Sequence, residues 1–239
     1  MLFKKDELSK FHFLSIPEFI FVLFLIFLSS IFSLLALPIA LKKFFPYFAP
    51  IIDTRYFDIM LFYFSILLSI YVIYFFCCKK KHKTLKEGLF LNPKSKKVYF
   101  ISILIGIIMP LITLPIIFKF APKEFYAMDL AKTKDGLIFL MSCAIVAPIY
   151  EEIIYRGLIF SFIQSKANSF WAVIITAVLF GLSHLMNIGN AHILISLFIF
   201  YGFVLTLIRY CTRSLIPPII THFVHNLTLI ASFLILSNA

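Results

Sequence analysis

Apolar residues run along this chain in long uninterrupted blocks, not in the alternating or one-face patterns of half-buried strands and soluble amphipathic helices. Phe19 to Leu41 carries no charge and closes on Lys42 and Lys43; Ile59 to Cys78 and Val98 to Phe118 follow as two further blocks. Segments of about 20 residues span about 30 Å as helix, the thickness of a bilayer's hydrocarbon core. A fourth block begins near Gly136. From Ala167 to Ile208 no Lys, Arg, Asp or Glu occurs. At about 63 Å as helix that run is too long for one crossing, and Asn187-Ile188-Gly189-Asn190 offers turn residues at which to divide it. The last block runs from about Ser214 to Leu236. The pattern predicts an all-α, polytopic transmembrane helical bundle of seven spans, with six or eight as the alternatives. Pro110 and Pro115 are expected to bend the third span, and residues 121–135 to form a mixed-charge loop with a short surface helix.

Composition agrees. Of 239 residues 62% are hydrophobic and 14% charged, against about 45–50% and 25% in soluble domains, so the surplus must face lipid. The net charge of +11 is unevenly spread. Between Lys79 and Lys97 stand eight lysines and one acid, Glu87. This loop abuts an apolar block on each side and reads as cytoplasmic, touching anionic lipid headgroups. The N-terminus is then inside, with Arg209 and Arg213 in agreement and the Lys42–Arg55 loop in mild conflict. No nucleic-acid motif accompanies the lysines, so nucleic acid is not an expected partner. Three stretches follow: an N-terminal cytoplasmic segment 1–18, N-terminal transmembrane helices 19–120 containing the lysine loop 79–97, and a transmembrane core 136–238 that carries the candidate chemistry. Cys77, Cys78, Cys143 and Cys211 have no metal-ligand spacing and are expected to pack as small hydrophobes.

The chemistry lies in that core. Glu151-Glu152-Ile153-Ile154-Tyr155-Arg156 sits within the fourth span, where each ionisable group costs about 2.5 to 3.5 kcal/mol unless it is paired or faces a wet cavity. Residues four apart share a helix face, so Glu152 and Arg156 are expected to pair and support the site. Glu151, without a sequence partner, is the candidate base for drawing a proton from water. His222 and Asn226 share a face and can both donate to an oxyanion; Phe180 and His184 have the same spacing. His225, on another face, is expected to be packing, and His12, His82 and His192 surface residues. Zinc held by Glu151, His184 and His222 is chemically possible, but no His-Glu-x-x-His string supports it and no cofactor is expected. Glu151 in isolation would equally suit ion or proton coupling in a transporter.

Glu-Glu-x-x-x-Arg at 151–156, Phe180-x-x-x-His184 and His222-x-x-x-Asn226 together resemble the CAAX protease and bacteriocin-processing family of intramembrane glutamic endopeptidases. Pro148-Ile149-Tyr150, Gly157 and Ser214-Leu215 fit as flanking residues, and the resemblance covers roughly residues 135–230. It implies that Glu151 and His184 activate water, that His222 and Asn226 form the oxyanion hole, that Glu152 and Arg156 are the supporting pair, and that no metal is needed. Arg213 stands where a glycine is common and Thr206 where a second glycine often lies; neither is expected to touch the chemistry.

The expected activity is amide hydrolysis by direct attack of water on a peptide or protein segment at the membrane, lipidated or not, of the CAAX-tail or bacteriocin and signal-peptide processing type. A non-catalytic bacteriocin self-immunity protein of the same fold, or a transporter, is the alternative. The bias toward Lys, Ile and Phe suggests an AT-rich bacterial genome and a bacterial cell membrane. Distances along the helices put Glu151 and His184 about one pitch or more apart in depth, a gap that a later-starting fifth span would close.

Overall fold

The computed structural model describes residues 14–120, 133–185 and 192–237. Most of the expected 121–135 loop, the dividing turn at 187–190, and the side chains of His12 and His192 lie outside the described residues. The described elements are helical: α1 (Ile16–Phe44), α2 (Tyr56–Lys79), α3 (Leu85–Gly88), α4 (Lys96–Phe120), α5 (Lys134–Lys166), α6 (Ser169–Leu182), α7 (His192–Thr212) and α8 (Ile216–Ser237). A 3-10 turn, Pro46–Phe48, and a helical turn, Ala49–Ile52, lead from α1 toward α2.

Six of these, α1, α2, α4, α5, α7 and α8, are long and apolar enough to cross a membrane. The protein is a multi-pass integral membrane protein. The expected fifth span is the short one. α6 has 14 residues, about 21 Å of helix, less than a hydrocarbon core of about 30 Å. It starts at Ser169, where Asn168 caps it by accepting from the backbone N–H of Trp171 at 3.0 Å.

The chain divides into two compact units, one within His12–Leu89 and one within Phe90–Ala239. In the first, α1 opens on a capping box in which Ser15 and Glu18 satisfy each other's backbone N–H groups. Serine hydroxyls join α1 to α2, Ser29 to Ser69 at 3.1 Å and Ser65 to Ser30 at 3.3 Å, the kind of polar contact that holds helices together in lipid. Glu18 pairs with Lys80 and Lys81 at 2.9 and 3.1 Å.

In the second unit α4 lies against α8. Close approach is set by Gly106: a Cβ there would stand 2.7 Å from the carbonyl oxygen of Thr221. The Thr221 hydroxyl donates to the carbonyl of Ser102 at 3.1 Å across the same seam. α4 remains helical through Pro110 and Pro115. α6 packs on α7, and α5 changes to a π-helix over Ile153–Ile159, directly after the two glutamates. Single π-turns arise where an extra residue is accommodated in a helix, often at functional sites.

Candidate active site

The π segment of α5 carries Arg156 into the unit's interior, where Arg156 and Glu152 are both fully buried. Nη1 of Arg156 donates to Oε1 of Glu152 at 2.8 Å, as the four-residue spacing predicted. The guanidinium is spent further: Nη2 donates to the carbonyl of Gly202 at 3.0 Å and Nε to the hydroxyl of Thr206 at 3.3 Å. The Thr206 hydroxyl in turn donates to the Gly202 carbonyl at 2.7 Å. Phe180 lies under the cation, its ring centroid 4.4 Å from Cζ, within range of a cation–π interaction. A buried ion pair persists only when geometry and extra hydrogen bonds offset desolvation, and both are present here.

Thr206 thus reaches the supporting pair through Arg156. Its hydroxyl accepts from the arginine that holds Glu152. The signal was in the sequence: Gly202 and Thr206 are four apart and share a face of α7. Arg213, the other departure, has φ of 52°, a left-handed conformation that favours glycine.

Glu152 also receives the last motif. Nδ1 of His222, on α8, donates to the same Oε1 at 2.9 Å. The other ring nitrogen, Nε2, faces Oε2 of Glu151 at 3.8 Å, too far for a direct hydrogen bond but close enough for a molecule lying to one side to bond with both. Oε2 of Glu151 and Oε2 of Glu152 are buried atoms without a protein partner. Glu151, expected to point away from its neighbour's partners, thus converges with them on the imidazole of His222.

His184 lies in the turn that ends α6. Its Nδ1 is 2.9 Å from the carbonyl of Phe180, one of the carbonyls a helix terminus leaves without an intrahelical donor. A carbonyl only accepts, so Nδ1 carries the hydrogen and Nε2 of the neutral ring presents a lone pair. The ring stacks on Phe198 of α7 at 4.3 Å. The aromatic ring of Phe180 ties the motifs together, with centroids 4.9 Å from His184, 5.8 Å from His222 and 5.2 Å from Tyr155. Phe180, one turn before His184, is the residue of α6 that stands against Arg156; His184 itself lies just past the end of that helix.

Asn226 follows His222 by one turn. Its Oδ1 is 3.3 Å from Nδ1 of His225, and His225 stacks on Tyr201 with centroids 3.9 Å apart. Gly202, Thr206, Tyr201 and His225 are the residues that the motif reading passed over. Among the described residues no group of three His, Cys, Asp or Glu is arranged to hold a metal ion, the chemically possible trio Glu151, His184 and His222 included. The arrangement instead offers a carboxylate facing an imidazole, a second imidazole with an open lone pair, and a carboxamide one helical turn away.

Residues 133–228 match the family model described as Type II CAAX prenyl endopeptidase Rce1-like, a stretch that contains all six residues from Glu151 to Asn226 named above. A curated protein of Bacillus subtilis (strain 168), named "Putative membrane peptidase YdiL", is 34% identical over 89 residues, which cover 37% of this chain and 34% of that protein. The match spans about a third of that relative's length. No solved structure matches the chain. The resemblance to the CAAX protease and bacteriocin-processing family, first carried by three short motifs, is borne out by these matches.

Proposed function

We propose that the chain is an intramembrane endopeptidase that hydrolyses peptide bonds of membrane-associated peptides or proteins, with Glu151 as its base and without a metal. The observation that carries this reading is the pair of distances about His222, 2.9 Å to Glu152 and 3.8 Å to Glu151, which brings the first and last motifs to one point inside the bundle. The family match over residues 133–228 supports the same reaction class.

The residues divide the work as follows. Water bound beside Glu151 gives its proton to the carboxylate as its oxygen attacks the amide carbon, and the open Nε2 of His184 accepts the water's second hydrogen bond. The carbonyl oxygen becomes an oxyanion, met by the Nδ2–H of Asn226 and by Nε2–H of His222. For His222 to donate there while Nδ1 donates to Glu152, the ring carries both protons, and the ring and Arg156 together match the charge of the two carboxylates. Collapse of the intermediate breaks the carbon–nitrogen bond, and the proton held by Glu151 passes to the leaving amine. Glu152 and Arg156 take no proton in this sequence; they fix His222.

Substrate reaches such a site from the membrane, so a peptide with an apolar or lipidated segment fits better than a soluble one. The eight lysines of the 79–97 loop suit anionic lipid on the cytoplasmic face of a bacterial membrane, which puts the N-terminus on that side. The test is a comparison of membrane and secreted peptides between a parent strain and one carrying Glu151→Gln. Uncut precursors that accumulate in the variant and disappear on re-expression of the parent chain support the reading. Identical peptide profiles, with the variant expressed at the parent level, would sink it.

A further inference from the structure

His225 is a neighbour of the site that the mechanism leaves unused. It is buried, 8% exposed, and three residues from His222, so those two imidazoles are neighbours on α8, while Asn226 is reached through the hydrogen-bond contact below. The ring lies nearly parallel to that of Tyr201, at 20° and 3.9 Å. Tyr201 is itself 5% exposed and meets His222 edge-on at 5.5 Å. One aromatic side chain of α7 thus braces both imidazoles of α8.

The hydrogen bond has a direction. The oxygen of a carboxamide only accepts, so the contact between Nδ1 of His225 and Oδ1 of Asn226 at 3.3 Å requires the hydrogen on Nδ1. A carboxamide is nearly symmetrical in shape, and its two ends exchange by a half-turn about one bond. In one orientation Asn226 presents two N–H donors away from His225; in the other it presents an oxygen. An oxygen facing a developing oxyanion repels it. The orientation of Asn226 is therefore worth fixing.

We propose that His225, stacked on Tyr201, is a positioning residue that sets the orientation of the Asn226 carboxamide. Its Nδ1–H holds Oδ1, so that Nδ2 is the end left to donate. The value of this orientation to turnover rests on the peptidase reading above, whereas the pairing itself does not.

The test uses the full chain in lipid nanodiscs, labelled with 15N-asparagine, with the Asn226 side-chain amide signals identified by their loss in Asn226→Asp. His225→Phe keeps an aromatic ring on Tyr201 and removes the donor; His225→Asn puts an N–H close to the place of Nδ1. The expected result is a displaced or broadened Asn226 amide pair in His225→Phe and a return toward the parent position in His225→Asn. Tyr201→Leu, which leaves the imidazole but removes its support, is expected to give the same displacement, and decides the matter if His225→Phe does not fold. An Asn226 pair that stays at the parent position in the folded variants overturns the assignment.

Turnover of the peptide found in the strain comparison adds the second readout. His225→Phe is expected to lower kcat by several-fold to about tenfold, the scale of one neutral hydrogen bond, with KM little changed, and to have no further effect once Asn226 is Ala. An undiminished effect in the Asn226→Ala background overturns the assignment also. If the parent chain cleaves nothing, the peptidase reading fails while the amide signals still decide the pairing.

Discussion

The imidazole of His222 donates from Nδ1 to Oε1 of Glu152 at 2.9 Å, and that one bond joins residues 70 positions apart in the chain. It has two consequences. The ring is fixed with Nε2 toward Glu151, and the second glutamate is committed to structure. The adjacent carboxylates thus part company: Glu152 is fully buried with Arg156 and His222 on one oxygen, while Glu151 keeps 24% side-chain exposure.

Replacing Glu151 with Gln is expected to lower turnover by about 10²-fold or more, the usual scale for a lost general base. Thermal unfolding is expected to move little, since Oε2 of Glu151 makes no hydrogen bond in the protein. Peptide cleavage and a melting curve on the same preparation check both halves.

Arg156→Met leaves Glu152 buried without its cation and is expected to cost about 3–5 kcal/mol, the range for breaking a buried pair. Adding Glu152→Leu to that variant removes the orphaned charge and is expected to restore part of the stability, though not activity. Unfolding in graded denaturant separates the single from the double variant. Equal losses in both would mean that the ion pair is not the source.

Gly202→Ala tests the crossing of α6 and α7. The added Cβ would stand 2.9 Å from a ring carbon of Phe180 and 3.0 Å from the carbonyl oxygen of Ala177, so helix or ring must shift. The expected cost is about 1–3 kcal/mol, as for other overpacked interiors, with a fall in turnover because Phe180 touches Arg156, His184 and His222. Gly181→Ala is expected to be worse, as its Cβ would meet the backbone nitrogen of Ile199 at 2.8 Å, and backbone yields less easily than a side chain.

Arg213→Gly is expected to stabilise the protein. Arg213 holds φ of 52°, and a side chain in that conformation costs about 1 kcal/mol relative to glycine. A rise in Tm of a few degrees with unchanged cleavage is the expected outcome; a lower Tm would mean that the side chain returns more than the backbone loses.

Metal dependence is checked by dialysis against a chelator. Activity is expected to survive, with zinc below stoichiometric amounts in the purified protein. Reversible loss on chelation, restored by added zinc, would replace the metal-free mechanism by a zinc-activated water.

The sequence by itself determined the class and the cast. Uncharged runs of membrane-crossing length leave the backbone no stable choice but helix, since only internal hydrogen bonds can replace water in lipid. Four-residue spacings fixed Glu152 beside Arg156 and His222 near Asn226, because helical periodicity is local. What periodicity cannot carry is the relation between helices. The convergence of Glu151 on His222 depends on how α5 meets α8. The service of Thr206 to Arg156 depends on α7 crossing the π segment. The stacking of His184 on Phe198 depends on how α6 packs on α7, and no uncharged run announces where within it the helix stops. These were decided by side chains from distant parts of the chain competing for the same few buried hydrogen bonds. That competition exists only once the helices have packed.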